Sequence, residues 1–214
     1  MNPLLVVLNP RNITECMDAF RALDIPKAWM TGYREYDLVV PMADLVNVTD
    51  YSHYIVISDD AVVRQPALNA VLALLEDGHP VATGWSNLDC VEAKVNLQRT
   101  PLQSPVPLVT GWDLYHFAEV MGYPEPVVPT FFGGMCLTGM SRELWQRFPF
   151  NCYGRPGGGS DYHLCWRLQE AGVPIAAARE GFVFHVKERW AEGDLDPKKR
   201  LLVGMVSPSV TITD

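Results

Sequence analysis

The segment Tyr54-Ile55-Val56-Ile57-Ser58-Asp59-Asp60 decides the fold class of this chain. Its apolar, β-branched run predicts a buried strand, and two adjacent carboxylates follow directly. Ligands of open α/β sheets bind in the crevice outside the carboxyl ends of the strands. The segment therefore predicts a strand that delivers Asp59 and Asp60 to a ligand site. Aspartates also end strands in ordinary turns, so the pair alone leaves both interpretations open.

Strand and helix patterns alternate on both sides of this segment. They fall at residues 4–8, 14–23, 54–57, 66–75 and 81–84, and Pro66 suits the start of a helix over 66–75. Residues 37–40 are predicted as either strand or loop. Such a β-α-β order favours a mainly parallel sheet flanked by helices. We therefore predict an α/β fold with a Rossmann-like central sheet in a single domain.

Residues 86–130 break the alternation. Six prolines fall between Pro101 and Pro129, and the apolar residues show no clear period. A stretch of this length without periodicity predicts a functional insertion or lid, with a short helix near 113–121. An extended apolar pattern resumes at 131–137. From Lys187 onward we predict only loop or a short peripheral helix.

The composition limits the compartment and the partners. The chain has 214 residues and a net charge of −8, which argues against a surface built for duplex nucleic acid. Its five cysteines form no Cys-x-x-Cys pair, which favours a reducing compartment over a disulfide framework. No stretch has the length of a membrane span, and no secretory signal pattern is present, so we expect a soluble, cytoplasmic protein.

Two more candidates for chemistry lie far downstream. Asp161 follows the run Gly157-Gly158-Gly159 and opens a predicted helix. Acids are favoured there by the helix dipole, but Asp161 also suits a general base. His185 ends an apolar strand and precedes Lys187. An imidazole there suits a metal ion and the lysine suits a phosphate, although a strand-end histidine beside solvated charges is the simpler interpretation.

The order of these elements over roughly 4–190 resembles the GT-A glycosyltransferases, particularly glycosyltransferase family 2. Two segments carry the resemblance: 57–68, which is similar to the family's Asp-x-Asp strand end, and 132–172, which is similar to its acceptor-side strand and base-bearing helix. The chain departs from the family at Ser58, which stands where the first acid is expected. The Gln-x-x-Arg-Trp signature of processive members is also missing, which favours addition of a single sugar.

The resemblance implies a role for each candidate. Asp60 and His185 would hold a divalent metal ion, Mn²⁺ or Mg²⁺, and Asp161 would be the base of an inverting transfer. Pro10, Arg11, Asp59, Asp60 and Lys187 would contact the nucleotide-diphosphate sugar donor. Residues 1–85 would form the nucleotide-sugar-binding half, 86–130 the insertion, 131–190 the acceptor-side half and 191–214 a C-terminal tail.

The acceptor side is predicted from aromatic residues and glycine. Trp85 and Trp112 suit stacking on a sugar ring, although aromatic residues more generally pack in cores. Gly134 would let backbone approach a ligand closely. The acidic composition favours a protein, glycan or small-molecule acceptor, since a modified base in DNA would need a positive groove.

Three other classes compete with this prediction. A sugar nucleotidyltransferase would use a similar sheet and metal ion, but is expected to carry a glycine-rich loop with a basic residue after the first strand. Here that position is Asn9-Pro10-Arg11-Asn12, without glycine. A Rossmann oxidoreductase would need Gly-x-Gly-x-x-Gly at the same place, which is absent. A non-catalytic module that binds nucleotide sugars is the third.

Overall fold

A computed structural model describes residues 1–9, 11–33, 38–89, 92–105, 112–150, 160–186 and 204–214. The strands are β1 (Pro3–Asn9), β2 (Lys27–Thr31), β3 (His53–Ser58), β4 (Ala61–Val62), β5 (Val81–Trp85), β6 (Asn87–Asp89), β7 (Lys94–Gln98), β8 (Leu114–His116), β9 (Val127–Thr130), β10 (Thr138–Ser141), β11 (Ile175–Phe182), β12 (Phe184–His185) and β13 (Ser209–Thr213). The helices are α1 (Thr14–Arg21), α2 (Val39–Val48), α3 (Gln65–Glu76), α4 (Phe117–Met121), α5 (Arg142–Arg147) and α6 (Ser160–Glu170). No helix among these residues is long and apolar enough to cross a membrane.

An eight-stranded sheet in the order β13-β2-β1-β3-β10-β5-β11-β9 forms the centre of the fold. Strands β1, β2, β3, β5 and β11 run in one direction, whereas β9, β10 and β13 run against them. The predicted α/β fold with a mainly parallel sheet is confirmed, since five of the eight strands run in one direction. The carboxyl ends of β1 and β3 are adjacent because Leu8 pairs with Ser58.

Both faces of the sheet are buried, which explains the continuous apolar runs of its central strands. Alternate residues of β1 and β3, such as Leu5 and Ile57, pack with α1 and α3 on one face. Their neighbours, such as Val6 and Val56, pack with α2, α5 and α6 on the other. This double cover holds the end of β3 at a fixed position.

Three sequence-based predictions about elements are wrong. Helix α2 covers part of 37–40, which was predicted as strand or loop, and its Pro41 lies in the first turn, where no backbone donor is lost. The segment 131–137 is loop, and the acceptor-side strand begins only at Thr138. The predicted tail contributes β13, which pairs with β2 at the edge of the sheet.

The predicted insertion at 86–130 is more ordered than an irregular lid. It contains a second sheet in the order β6-β7-β8, the short helix α4 and the main-sheet strand β9. The helix near 113–121 was predicted. The strands were missed because β6 and β8 have three residues each, too few to show alternation.

Candidate active site

The end of β3 and the strand β12 bring two candidate ligands together. Asp59 and Asp60 follow β3 in a tight turn, and β4 then pairs antiparallel with β12, placing His185 opposite Ala61. The backbone N–H of Val186 donates to the carbonyl oxygen of Asp60 at 2.9 Å. As a result His185 Nε2 lies 3.1 Å from Asp60 Oδ2, although 125 positions separate the two residues in the chain.

Arg11 follows the end of the neighbouring strand β1 and reaches the same place. Its backbone N–H donates to Asp59 Oδ2 at 2.5 Å and its Nε–H to Asp59 Oδ1 at 2.7 Å. Another guanidinium nitrogen, Nη1, lies 3.0 Å from Asp60 Oδ2. The guanidinium therefore bridges both aspartates. Such forked, charge-assisted pairs are the strong class of hydrogen bond.

The two aspartates differ in their surroundings. The Asp59 side chain is 0% exposed, and burial raises its pKa to about 6 even though Arg11 opposes this rise. Burial would also raise the pKa of Asp60, but His185, Arg11 and a hydrogen bond from Ser58 outweigh it and hold the pKa well below its usual range. Asp60 is therefore the carboxylate that stays ionised beside an imidazole.

Asp60 and His185 fit a divalent cation that also has phosphate ligands. Mg²⁺ and Mn²⁺ are commonly held by one or two protein groups together with substrate phosphates. Among the described residues there is no group of three or more His, Cys, Asp or Glu that could hold a metal ion without such help. In this arrangement the Nε2–H group of His185 donates a hydrogen bond to Asp60 Oδ2, and a bound cation would replace that hydrogen atom. Both oxygens of Asp59 accept hydrogen bonds from Arg11, so we do not count Asp59 as a ligand of the cation.

Asp161 lies at a second acidic position, in the first turn of α6. Its Oδ1 accepts from the N–H of Tyr162 at 2.7 Å. Its Oδ2 faces Gly134, where a Cβ, if the residue had one, would stand 3.8 Å from it and 2.8 Å from Asn96 Nδ2. A side chain at position 134 would clash with Asn96 and meet Asp161 Oδ2 at an ordinary contact distance, so it is Asn96 that requires glycine here.

Asn96 is a site residue that the sequence did not reveal. It is 7% exposed, and its side-chain oxygen accepts from the backbone N–H of Ser86 at 2.7 Å. Its Nδ2 lies 3.4 Å from Cys136 Sγ and points toward Gly134. A lone asparagine in an unrecognised strand carries no motif, so only the packing of β7 against the loop before β10 identifies it.

The loop 133–137 connects the two acidic positions. The N–H of Ser58 donates to the carbonyl oxygen of Met135 at 2.7 Å, next to the Asp60 end. One residue earlier in the same loop, Gly134 faces Asp161. The loop therefore runs from the strand end that bears Asp60 to the helix start that bears Asp161.

The two predicted tryptophans have different surroundings. Trp85 is 0% exposed, and its Nε1–H donates to the carbonyl oxygens of Ala178 and Arg179 at 3.0 Å. The prediction that it contacts an acceptor is wrong, because the ring is enclosed in the core. Trp112 is partly buried and meets the rings of Phe132 and Tyr162 edge-on. Because Tyr162 follows Asp161, Trp112 lies on the Asp161 side of the site, and its acceptor role stays a prediction.

Other predicted positions lie outside the described residues. These are Pro10, Lys187 and the glycine run at 157–159.

Comparisons with solved structures find chains of similar fold at low sequence identity. A197 from STIV aligns with a TM-score of 0.54 and 15% identity, over 83% of this chain and 81% of that one. The inositol-1-phosphate CTP transferase from T. maritima aligns with a TM-score of 0.50 and 8% identity, over 97% and 98%. The CMP:2-keto-3-deoxy-manno-octonic acid synthetase complexed with CTP gives 0.47 and 13%, over 86% and 90%. No protein-family model and no curated protein matches the sequence.

The first two likenesses agree with the α/β architecture described above. At such low identities they show the fold and not the reaction. The predicted membership of glycosyltransferase family 2 is accordingly not confirmed.

Proposed function

We propose that this chain is a metal-dependent glycosyltransferase that moves one sugar from a nucleotide-diphosphate sugar to an acceptor hydroxyl. The observation that carries the proposal is the pairing of two acidic positions through the loop 133–137. One position combines Asp60 with His185 and Arg11, and the other holds Asp161 beside Gly134. Transfer of a sugar needs a cationic environment for the leaving diphosphate and a base for the acceptor. A cation on Asp60 and His185 beside Arg11 would supply the first, and Asp161 would supply the second.

The donor end would receive a diphosphate once a cation is bound, because Asp59, Asp60 and Arg11 alone carry one net negative charge. The side chains of Arg11 and His185 are 19% and 13% exposed, whereas Asp59 is fully enclosed. A ligand therefore meets the guanidinium and the imidazole first. When bound, a cation on Asp60 and His185 would act as a Lewis acid that stabilises the departing diphosphate. Arg11 would place a fixed positive charge beside the same phosphates.

The acceptor end is built to accept a proton. In the proposed step the acceptor oxygen forms a bond to the anomeric carbon while the bond from that carbon to the donor phosphate oxygen breaks. The electron pair of the broken bond leaves on the diphosphate, and the acceptor proton moves to the carboxylate of Asp161. Attack from the face opposite the leaving group inverts the anomeric centre. The acceptor would approach Asp161 near Gly134, which Oδ2 of that carboxylate faces.

Nucleotidyl transfer to a sugar phosphate is the second candidate. It is favoured by the shared fold of the inositol-1-phosphate CTP transferase, which aligns over 97% of this chain. Arg11 also supplies a basic residue after β1, although without the glycine-rich loop. A phosphate nucleophile is already ionised at neutral pH and needs no base. The presence of Asp161 at the second position therefore favours a hydroxyl acceptor.

The products distinguish the candidates. The protein is first screened with nucleotide sugars and with CTP in the presence of Mn²⁺, because a ligand that binds the folded state raises the melting temperature. Each stabilising ligand is then incubated with sugar and sugar-phosphate acceptors. Release of nucleoside diphosphate supports glycosyl transfer, and release of pyrophosphate supports nucleotidyl transfer. Binding without either product would indicate a non-catalytic module and overturn both proposals.

Replacement of the proposed base gives the sharper test. Asp161→Asn keeps the side-chain shape but cannot accept the proton, so we expect kcat to fall about 10²–10⁴-fold, the usual contribution of general base catalysis. Donor affinity, measured by calorimetry, is expected to stay within a factor of about three, below 1 kcal/mol. Equal loss of donor binding would contradict the assignment. Asp113→Asn, which alters a partly exposed acid in the pair with Arg99, is the matched control.

A further inference from the structure

Arg11 contacts Asp60 Oδ2, the oxygen to which a divalent cation would have to bind. Both oxygens of Asp60 have partners: Oδ1 accepts from Ser58 Oγ at 2.5 Å, and Oδ2 lies 3.0 Å from Arg11 and 3.1 Å from His185. A cation shared by Asp60 and His185 has to bind on Oδ2, since that is the oxygen His185 faces. Arg11 Nη1 is already there.

Arg11 is not free to leave this position as a whole. Its backbone N–H and its Nε–H are both bonded to Asp59, and Nη2 lies 2.6 Å from Asp59 Oδ1. Asp59 is fully enclosed, so withdrawal of the guanidinium would leave a buried, uncompensated charge. The contact from Nη1 to Asp60, and the 3.2 Å hydrogen bond from Nη2 to Ser58 Oγ, can open while the bonds to Asp59 stay.

The charge balance also indicates that Arg11 disfavours a cation bound without a diphosphate. Two carboxylates and one guanidinium leave one negative charge, which a dication would more than neutralise. The guanidinium would then lie within a few ångströms of the bound cation and repel it. A diphosphate brings negative charge of its own and would restore the balance.

From this geometry we propose that Arg11 is a built-in competitor of the divalent cation for Asp60 Oδ2. The free protein then binds the cation weakly, and the donor diphosphate relieves the competition by drawing Nη1 away from Asp60. The inference rests on the proposed cation site at Asp60 and His185. It adds to that site a positioning residue that couples cation binding to donor binding.

The test measures binding of Mn²⁺ alone by electron paramagnetic resonance, without any donor or acceptor. Arg11→Lys keeps a positive charge for the buried Asp59 but cannot span both aspartates. Arg11→Gln removes the charge altogether. We expect both variants to bind Mn²⁺ at least ten-fold more tightly than the wild type. Arg64→Gln, which removes the charge of an exposed arginine at the start of α3, is the matched control and is expected to leave Mn²⁺ affinity unchanged.

A further variant separates the failure of this inference from the failure of the cation site. His185→Ala in the Arg11→Lys background is expected to lose the gained affinity. If Mn²⁺ binds equally well to the wild type and both Arg11 variants but is lost with His185, the competition is overturned and the cation site stands. If no protein in the series binds Mn²⁺, both the competition and the cation part of the proposed function are overturned. Arg11→Lys keeps the test valid should Arg11→Gln fail to fold.

Discussion

Gly134 lies where the loop before β10 passes between Asn96 and Asp161. A Cβ at this position would stand 2.8 Å from Asn96 Nδ2, closer than real contacts allow. Gly134→Ala therefore has to displace Asn96, which is held by the N–H of Ser86. We expect a loss of about 1–3 kcal/mol in the free energy of unfolding, as for other overpacked sites, measured by urea denaturation.

The same variant is expected to reduce transfer more than donor binding, because the forced shift of Asn96 or of the loop occurs next to Asp161 Oδ2. Gly122→Ala is the control. Its Cβ would meet only the carbonyl oxygen of Ala118, at the end of α4 and away from the loop 133–137. If the two variants impair transfer equally, Gly134 serves the fold and not the acceptor.

At the scale of elements, the position of His185 depends on a bulge between β5 and β11. The pairing shifts register between Ala177 and Phe182, and the chain turns from β11 into β12. Gly84 makes the turn possible, since a Cβ there would stand 2.6 Å from the carbonyl oxygen of Gly181. Because that neighbour is backbone, a side chain can be accommodated only if the strands move apart.

Gly84→Ala is therefore expected to displace β12 and weaken the contact between His185 and Asp60. We expect the free energy of unfolding to fall by about 1–3 kcal/mol and donor affinity with Mn²⁺ to fall with it, both measured by calorimetry. Gly78→Ala provides a destabilised control, because its φ of +89° strains any side chain while nothing lies within 4 Å. That control should lower stability and leave donor affinity unchanged; parallel loss in both variants would contradict the role of the bulge.

Elements that follow from local pattern could be predicted, and those that depend on distant partners could not. Strand β3 was predicted from its apolar run, and α3 from its apolar spacing and Pro66. Strand β13 has the alternation Ser-Val-Thr-Ile-Thr, but it is exposed along its whole length, and its partner β2 lies far away in the sequence. Helix α2 has valine and proline in its first turn, which indicate extended structure when read alone.

The site follows the same rule. Asp59, Asp60 and Asp161 could be chosen because strand ends and helix starts are marked in the sequence. The bonds from Arg11 to both aspartates, and the position of Asn96 beside Gly134, depend on pairings between segments far apart in the chain. Trp85 was assigned to the acceptor because the sequence does not show which way a residue at a strand end faces.

At the scale of the whole molecule, buried thiols make stability depend on alkaline pH. Burial raises the pKa of Cys136 to about 11 and of Cys165 to about 12, from an ordinary value of 9.0. Between pH 9.0 and the raised pKa of each thiol, the unfolded chain has released a proton that the folded chain retains. The free energy of unfolding therefore falls as the pH rises above about 9, by about 1.4 kcal/mol per pH unit for each such thiol.

Cys165→Ala tests this dependence, because it removes one thiol from the balance. The substitution removes the contact from the Cys165 thiol to the carbonyl oxygen of Gly133, together with the packing of the sulfur. The variant is therefore expected to be less stable than the wild type at pH 7. Between pH 9 and 11, however, its free energy of unfolding should decline less steeply, by up to about 1.4 kcal/mol per pH unit. Urea denaturation at several pH values gives both slopes. Equal slopes in the two proteins would show that Cys165 ionises in the folded state as readily as in the unfolded chain.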